Sequence, residues 1–278
     1  MMIASTLFFS SMHTVIRYIS EDLHPFQIAF CRNLFGLAIL VPIIVQQGEK
    51  IFRTSQLGLH AMRALIHMSS MLLFFSALAI APIAKVTALS FTAPLFMALL
   101  GVLVFKERIW IRRWTAIIFG FIGALIVLRP GIEPLDTGSV MVLTAALTWA
   151  VTMIFIKFLV RKDTIITVTV YTSIFMTVLS VLPAVFVWQW PSIEAWGWLL
   201  FIGITGTLGQ MTLAEALKNA EASAIMPFDF LKLIWAAALG YCFFAEIPTV
   251  YTWAGATLIF ASGSYIVYRE SFIARSRR

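Results

Sequence analysis

EASAIMPFDFLKLIWAAALGYCFFAE, Glu221 to Glu246, is long and apolar enough to cross a bilayer, yet carries Asp229 and Lys232 inside its run. Shifted back by 139 residues, it lies over PIAKVTALSFTAPLFMALLGVLVFKE, Pro82 to Glu107. Gly240 falls on Gly101, Ala237 on Ala98, Phe244 on Phe105 and Glu246 on Glu107. The same offset carries Ala216, Leu217 and Ala220 onto Ala77, Leu78 and Ala81, Trp253 onto Trp114 and Phe260 onto Phe121. The chain reads as one unit written twice.

Composition sets the medium. The 278 residues are 61% hydrophobic and 12% charged, with mean hydropathy +0.94. A soluble domain of this length needs more polar surface than that to cover its core. Ten segments approach the roughly 20 apolar residues that span the hydrocarbon. They lie near 2–19, 25–45, 61–81, 84–105, 112–129, 138–160, 165–188, 194–217, 222–244 and 250–268. Turn chemistry separates them at Pro25, Gln46-Gln47-Gly48, Pro82, Arg129-Pro130-Gly131, Trp190-Pro191 and Pro248.

The net charge of +7 is distributed as membrane topology rather than as a nucleic-acid surface. Loops after even-numbered segments hold thirteen Lys and Arg, those after odd-numbered segments only Lys85 and Arg129. That bias puts both termini in the cytoplasm. Five spans per copy is an odd number, so the second copy must be inverted. The expected fold is therefore an all-α membrane protein of ten transmembrane helices, arranged as two inverted five-helix repeats. Residues 1–130 hold the first, 138–268 the second, and 269–278 form a basic cytoplasmic tail. Inverted repeats are common in secondary transporters, whose substrate sites lie near the midplane between the halves.

The stretches His13–Gly36 (HTVIRYISEDLHPFQIAFCRNLFG), Ala77–Ile109 with Trp114, Gly120 and Gly123, and the second-half echo Glu215–Ala256 together resemble the EamA-type, ten-helix branch of the drug/metabolite transporter superfamily. The resemblance spans essentially the whole chain. Within the superfamily it is nearest to importers of S-adenosylmethionine type, through the loop after helix 1 and the pattern Pro227-Phe228-Asp229-Phe230-Leu231. That branch has a base after the aromatic and an acid three residues later; here Asp229 precedes Lys232. The resemblance implies a cavity lined by helices 1, 3, 4, 6, 8 and 9. It also implies an inner-membrane carrier, monomeric or homodimeric, for a small cationic or zwitterionic solute, with proton coupling as one expectation. Export of amino acids or drugs, and riboflavin import, are alternatives on the same scaffold. A non-transporting membrane assembly protein is the alternative of another class.

Ionisable groups at membrane depth are functional candidates. Asp229 is the expected anchor for a cationic group or a coupling proton, against a self-neutralising pair with Lys232 on the same face. His13 stands in mid-helix 1, where it can titrate or hydrogen-bond to a neighbouring helix. Arg32 lies two turns into helix 2, facing a substrate carboxylate or an internal acid such as Glu215. Arg17 and Lys157 end helices 1 and 6 and are expected to snorkel to the interface. Glu107 and Glu246 recur at opposite faces and read as helix caps. Gln210, Ser90, Thr87, Trp149, Tyr171 and Trp235 fall near mid-depth, with Trp149 and Trp235 offered as a stacking wall or as packing aromatics. The glycines of Gly203–Gly209 allow close helix approach. Cys31 and Cys242 have no metal-ligand spacing and read as packing residues. Metal, cofactor and nucleophile constellations are not expected, and an enzyme is not.

Overall fold

The computed structural model describes residues 1–105, 111–129, 135–159, 161–219 and 226–276. Their regular structure is helical. The α-helices run α1 Met2–Ile19, α2 Pro25–Gln47, α3 Leu57–Ile80, α4 Ile83–Ser90, α5 Ala93–Phe105, α6 Ile111–Leu128, α7 Thr137–Leu159, α8 Ile165–Phe186, α9 Ile193–Asn219, α10 Leu231–Phe244 and α11 Val250–Ser276. Short 3-10 turns cover Gly48–Phe52 and Met226–Phe230.

Caps start several of these helices where the sequence has its turn residues. His24 Nδ1 accepts the Phe26 N–H with Pro25 at the first helical position. Thr164 Oγ1 accepts the Thr167 N–H, and Thr249 Oγ1 the Thr252 N–H. Inside the helices, Thr14, Thr152, Thr172 and Thr205 return their hydroxyls to the carbonyl four residues back. That satisfies polar groups where lipid offers no partner. Among the described residues, five stretches are long and apolar enough to cross a membrane, including Leu57–Ile80 and Thr137–Leu159.

The segment expected as one helix over 84–105 is broken. α4 ends at Ser90 and α5 begins at Ala93. Pro94 is the cause: it has no N–H for the Ser90 carbonyl, and its ring clashes there. Thr92 starts α5 instead, its carbonyl taking the N–H of Leu95 and Phe96. In the copy at 222–244, Phe230 falls on Phe91 under the 139-residue offset. There the 3-10 turn ends at Phe230 and α10 starts at Leu231. The last helix also differs from expectation: α11 continues to Ser276, through most of the expected tail.

The helix neighbours obey the duplication. α3 packs on α7 and α1 on α9; α2 packs on α9 and α3 on α8; α2 packs on α8 and α6 on α11. Glu246, just beyond the C-terminus of α10, accepts the N–H of Ile83, the first residue of α4. The corresponding spans therefore run antiparallel, which is what an inverted repeat requires. Phe91 and Phe230, equivalent in the two copies, stack on each other with centroids 6.3 Å apart. Equivalent residues in contact mark the pseudo-two-fold axis, and the α4–α5 break and the start of α10 lie on it.

One apolar core runs through all eleven helices, including Ile16, Ile28, Leu78, Leu89, Leu95, Leu199, Leu233 and Ile259. Large apolar residues such as Phe186, Val45 and Leu103 point outward, as lipid-facing positions must. α6 and α11 approach closely through Gly123 and Gly255: a Cβ on Gly123 would stand 2.8 Å from the Gly255 carbonyl oxygen and 2.9 Å from the Ile259 nitrogen. Neither is a flexible side-chain end. Gly123→Ala is therefore expected to cost roughly 1–3 kcal/mol, read as a lowered unfolding midpoint of the purified protein; an unchanged midpoint would show that the two helices can part freely.

Candidate functional site

Three polar clusters organise the bundle, one at each end and one between. At the first end, Arg17 closes α1. Its Nη2 pairs with Glu246 Oε1 at 2.6 Å, and its Nη1 donates to the carbonyls of Leu78 (3.0 Å) and Ala81 (2.6 Å). The guanidinium also lies 5.1 Å from the Phe244 ring centroid. The pair is mostly enclosed, at 20% and 14% side-chain exposure, so Arg17 does not snorkel as expected. The expectation misses because the partner comes from a distant helix end. Glu246 does cap a helix, but α4 of the other copy. Glu107 lies outside the described residues.

Nearby, Asp136 caps α7 by accepting the Ser139 N–H and hydroxyl, and pairs with Lys85 Nζ at 2.5 Å. Burial works against its ionisation, but the hydrogen bonds from Lys85 and Ser139 and the Lys85 charge outweigh it, holding the carboxyl at about 2. A depressed carboxyl stabilises the fold above its unfolded value and loses that contribution as pH falls through the folded one. The melting temperature of the wild type should thus lose the Asp136 contribution between about pH 4 and pH 2. Asp136→Ala, costing about 1 kcal/mol at neutral pH, should show a flatter decline; parallel curves would sink this assignment.

At the opposite end, Asp163 gathers Thr54 Oγ1 (2.7 Å), His60 Nε2 (2.8 Å) and Gln56 Nε2 (3.4 Å). Burial opposes its charge, yet these hydrogen bonds and the His60 charge prevail and lower its pKa. Tyr171 belongs here rather than at mid-depth. Its hydroxyl donates to the Phe52 carbonyl and its ring stacks on His60 at 4.8 Å. It stands only two turns into α8, too near the helix end to reach the middle.

The central cluster holds most of the residues expected to carry the site. The Lys232 Nζ is 2.6 Å from Asp229 Oδ1 and 5.1 Å from the Phe9 ring centroid. The pair straddles the step from the 3-10 turn into α10, which brings residues three apart onto one face. His13 sets its ring against Phe74 (5.0 Å) and Phe9 (6.4 Å). It lies within the field of Lys232 and Arg32. Arg32 donates to Asn33 Oδ1 at 3.1 Å, and no carboxylate of the described residues pairs with it. Glu215, the expected acid, is exposed. Trp149 tilts over His67 at 4.8 Å, and His67 lies within the field of Arg63 and Arg32.

Other expected residues separate from this group. Trp149 packs on His67, while Trp235 buries its indole Nε1 without a hydrogen-bond partner. The Ser90 hydroxyl donates to the Thr87 carbonyl and serves the end of its own helix. Gln210 is exposed. Cys31 is buried and Cys242 exposed. His67 Nδ1, Thr87 Oγ1, Trp235 Nε1 and Arg63 Nε are among the buried polar atoms without a hydrogen-bond partner. His67, Arg63, Phe9 and Phe74 escaped the sequence reading. His67 had the signal that singled out His13, a histidine in mid-span; the others read as ordinary helix residues.

Glycines admit this cluster. α9 turns Gly203, Gly206 and Gly209 toward α1 and α2, where added Cβ atoms would meet Phe35 Cβ at 2.5 Å, Met12 Sδ at 2.8 Å and Phe9 at 3.3 Å. Polar groups from α1, α2, α3 and α10 thus lie where the two antiparallel copies pack on each other, the region in which inverted-repeat carriers generally hold their substrates.

The sequence pattern of a family described as "EamA-like transporter family" matches residues 1–129 and, a second time, 136–268. The chain belongs to the EamA-like transporter family. An S-adenosylmethionine uptake transporter of Rickettsia bellii is 32% identical over 94% of this chain and 90% of its own. A riboflavin transporter of Vibrio cholerae is 31% identical over 100% of this chain and 95% of its own. A pseudopaline exporter, CntI, of Pseudomonas aeruginosa is 24% identical over 90% and 89%. One solved crystal structure superposes with a TM-score of 0.62 over 99% of this chain and 98% of its own, at 16% identity, a likeness of fold alone. This EamA-like protein is a membrane-embedded secondary transporter of a small metabolite.

Proposed function

We propose that the transporter imports a zwitterionic, S-adenosyl-type metabolite across a bacterial inner membrane by alternating access. Ten spans and cytoplasmic termini follow from the loop charges, with residues 1–130 and 138–268 as the moving halves. The Glu246 end is then the outer face and the Asp163 end the inner one. The observation that carries the reading is the stacked pair Phe91–Phe230, which joins the α4–α5 break to the start of α10 at equivalent positions of the two copies. Helix ends meeting on the repeat axis near the midplane are where carriers of this architecture hold their substrates. The aromatic faces of Phe9, Phe74 and Trp149 suit a planar base and a sulfonium, and the relative from Rickettsia bellii is an S-adenosylmethionine uptake transporter.

A second reading, riboflavin import, is favoured by Trp149 over His67, a surface for a flavin ring, and by the Vibrio cholerae relative. Proteoliposomes offered labelled S-adenosylmethionine and labelled riboflavin, each with and without a pH gradient, separate the two. Saturable S-adenosylmethionine uptake is expected, enhanced by the gradient if protons are the coupling ion. Riboflavin uptake with none of the nucleoside would exchange the first reading for the second.

A further inference from the structure

We infer that Arg32 is the anchor for a carboxylate group of the substrate. The inference takes its probe from the transport reading above but stands on the charge arrangement of the central cluster. Asp229 is already neutralised by Lys232 at 2.6 Å. Arg63 donates from Nη1 to the Val168 carbonyl at 3.4 Å, toward the Asp163 end, and its Nε has no hydrogen-bond partner. Arg32 is the guanidinium of the central cluster, and its described partner is a neutral amide. His13 and His67 flank it and supply no negative charge. A permanent cation at this depth is costly without an anion, and a substrate carboxylate provides one.

Arg32 is also held ready. Asn33, which accepts from its Nη1, is buried and bonds through Nδ2 to Ser180 Oγ of α8 at 3.5 Å. Ser180 is fully buried and donates to the Thr177 carbonyl. On its other side the guanidinium passes α9 at Gly206, where a Cβ would stand 3.2 Å from Nε and 3.5 Å from Nη2. The fork is therefore fixed by α2, α8 and α9 before any ligand arrives. A rigid planar fork offers two parallel N–H groups and matches one carboxylate. Phosphate sites instead gather several cations or backbone amides, and Lys232, the other cation of the central cluster, is already paired with Asp229.

The test uses two ligand pairs differing in the carboxylate: S-adenosylmethionine with its decarboxylated form, and tryptophan with tryptamine. Binding to the purified full chain is measured by thermal stabilisation, and S-adenosylmethionine uptake by proteoliposomes. The wild type should prefer the carboxylate member of at least one pair. Arg32→Gln should weaken that member roughly tenfold to a hundredfold, the worth of a charge-assisted hydrogen-bond pair, and leave the other within about threefold. Arg32→Lys, which keeps the charge and loses the fork, should fall between and covers the case in which Arg32→Gln does not fold. Uptake of S-adenosylmethionine without preference over the decarboxylated form overturns the anchor and leaves the transport reading standing. Preference for tryptophan lost in Arg32→Gln, without S-adenosylmethionine uptake, supports the anchor and removes the S-adenosyl reading. Stabilisation by no member of either pair overturns the anchor outright.

Discussion

Glu246→Ala is expected to destabilise the transporter by roughly 2–4 kcal/mol and to open one end of the bundle. The Glu246 carboxylate does two things at once. It neutralises Arg17 at 2.6 Å and accepts the first N–H of α4 at 2.9 Å. Its removal leaves a largely enclosed guanidinium with only the Leu78 and Ala81 carbonyls and an aromatic face. Breaking one side of an enclosed pair is costly because the surviving charge stays out of water. Glu246→Gln keeps an acceptor for Ile83 but not the charge, so it should fall between. Because the contact joins α1, the α3–α4 corner and the end of α10, its loss should also let that end part. A cysteine at Ala81, 3% exposed in the wild type, reports this. In a Cys242→Ser background, needed because Cys242 is exposed, Ala81→Cys should react faster with an impermeant maleimide once Glu246 is gone. Equal labelling rates would mean that the pair braces the end without gating it.

Asp229→Asn is expected to reduce uptake more than tenfold and stability by roughly 3 kcal/mol, because it strands Lys232 within the bundle. The cause is the unpaired ammonium, so removing both charges should reverse it. Asp229→Asn combined with Lys232→Met should regain stability to within about 1 kcal/mol and uptake to within about threefold. Unfolding midpoints and proteoliposome uptake of the single and double variants decide the matter. A double variant as stable as the wild type but unable to transport would return Asp229 to the role of substrate anchor, and the pairing would then be a resting-state contact only.

Much of the architecture was legible in one dimension. The duplication, the apolar segments and the turn residues all follow from residue order and hydropathy. Pro94 even announced a break within 84–105, since a proline in a helix interior removes a hydrogen bond wherever it stands. In the second copy Leu233 stands where the first has the proline, and a 3-10 turn over Met226–Phe230 leads into α10. Of the central cluster, His13, Arg32, Lys232 and Trp149 were singled out by their depth, and His67 was open to the same argument. Depth alone does not say which group a hydroxyl meets, so the partners of Tyr171 and Ser90 came only from the contacts.

By itself, the sequence determined that this is a twice-written, all-helical membrane protein with a few charges it cannot easily expose to lipid. Those facts depend on composition and period, which survive without knowing any contact. The tertiary structure decided how the charges are disposed. Arg17 meets Glu246 across 229 positions of chain, Asp229 turns to Lys232, and Arg32 is left to a neutral neighbour. Pairing energy falls steeply with separation, and which ends of which helices come within 3 Å is set by packing between the two copies.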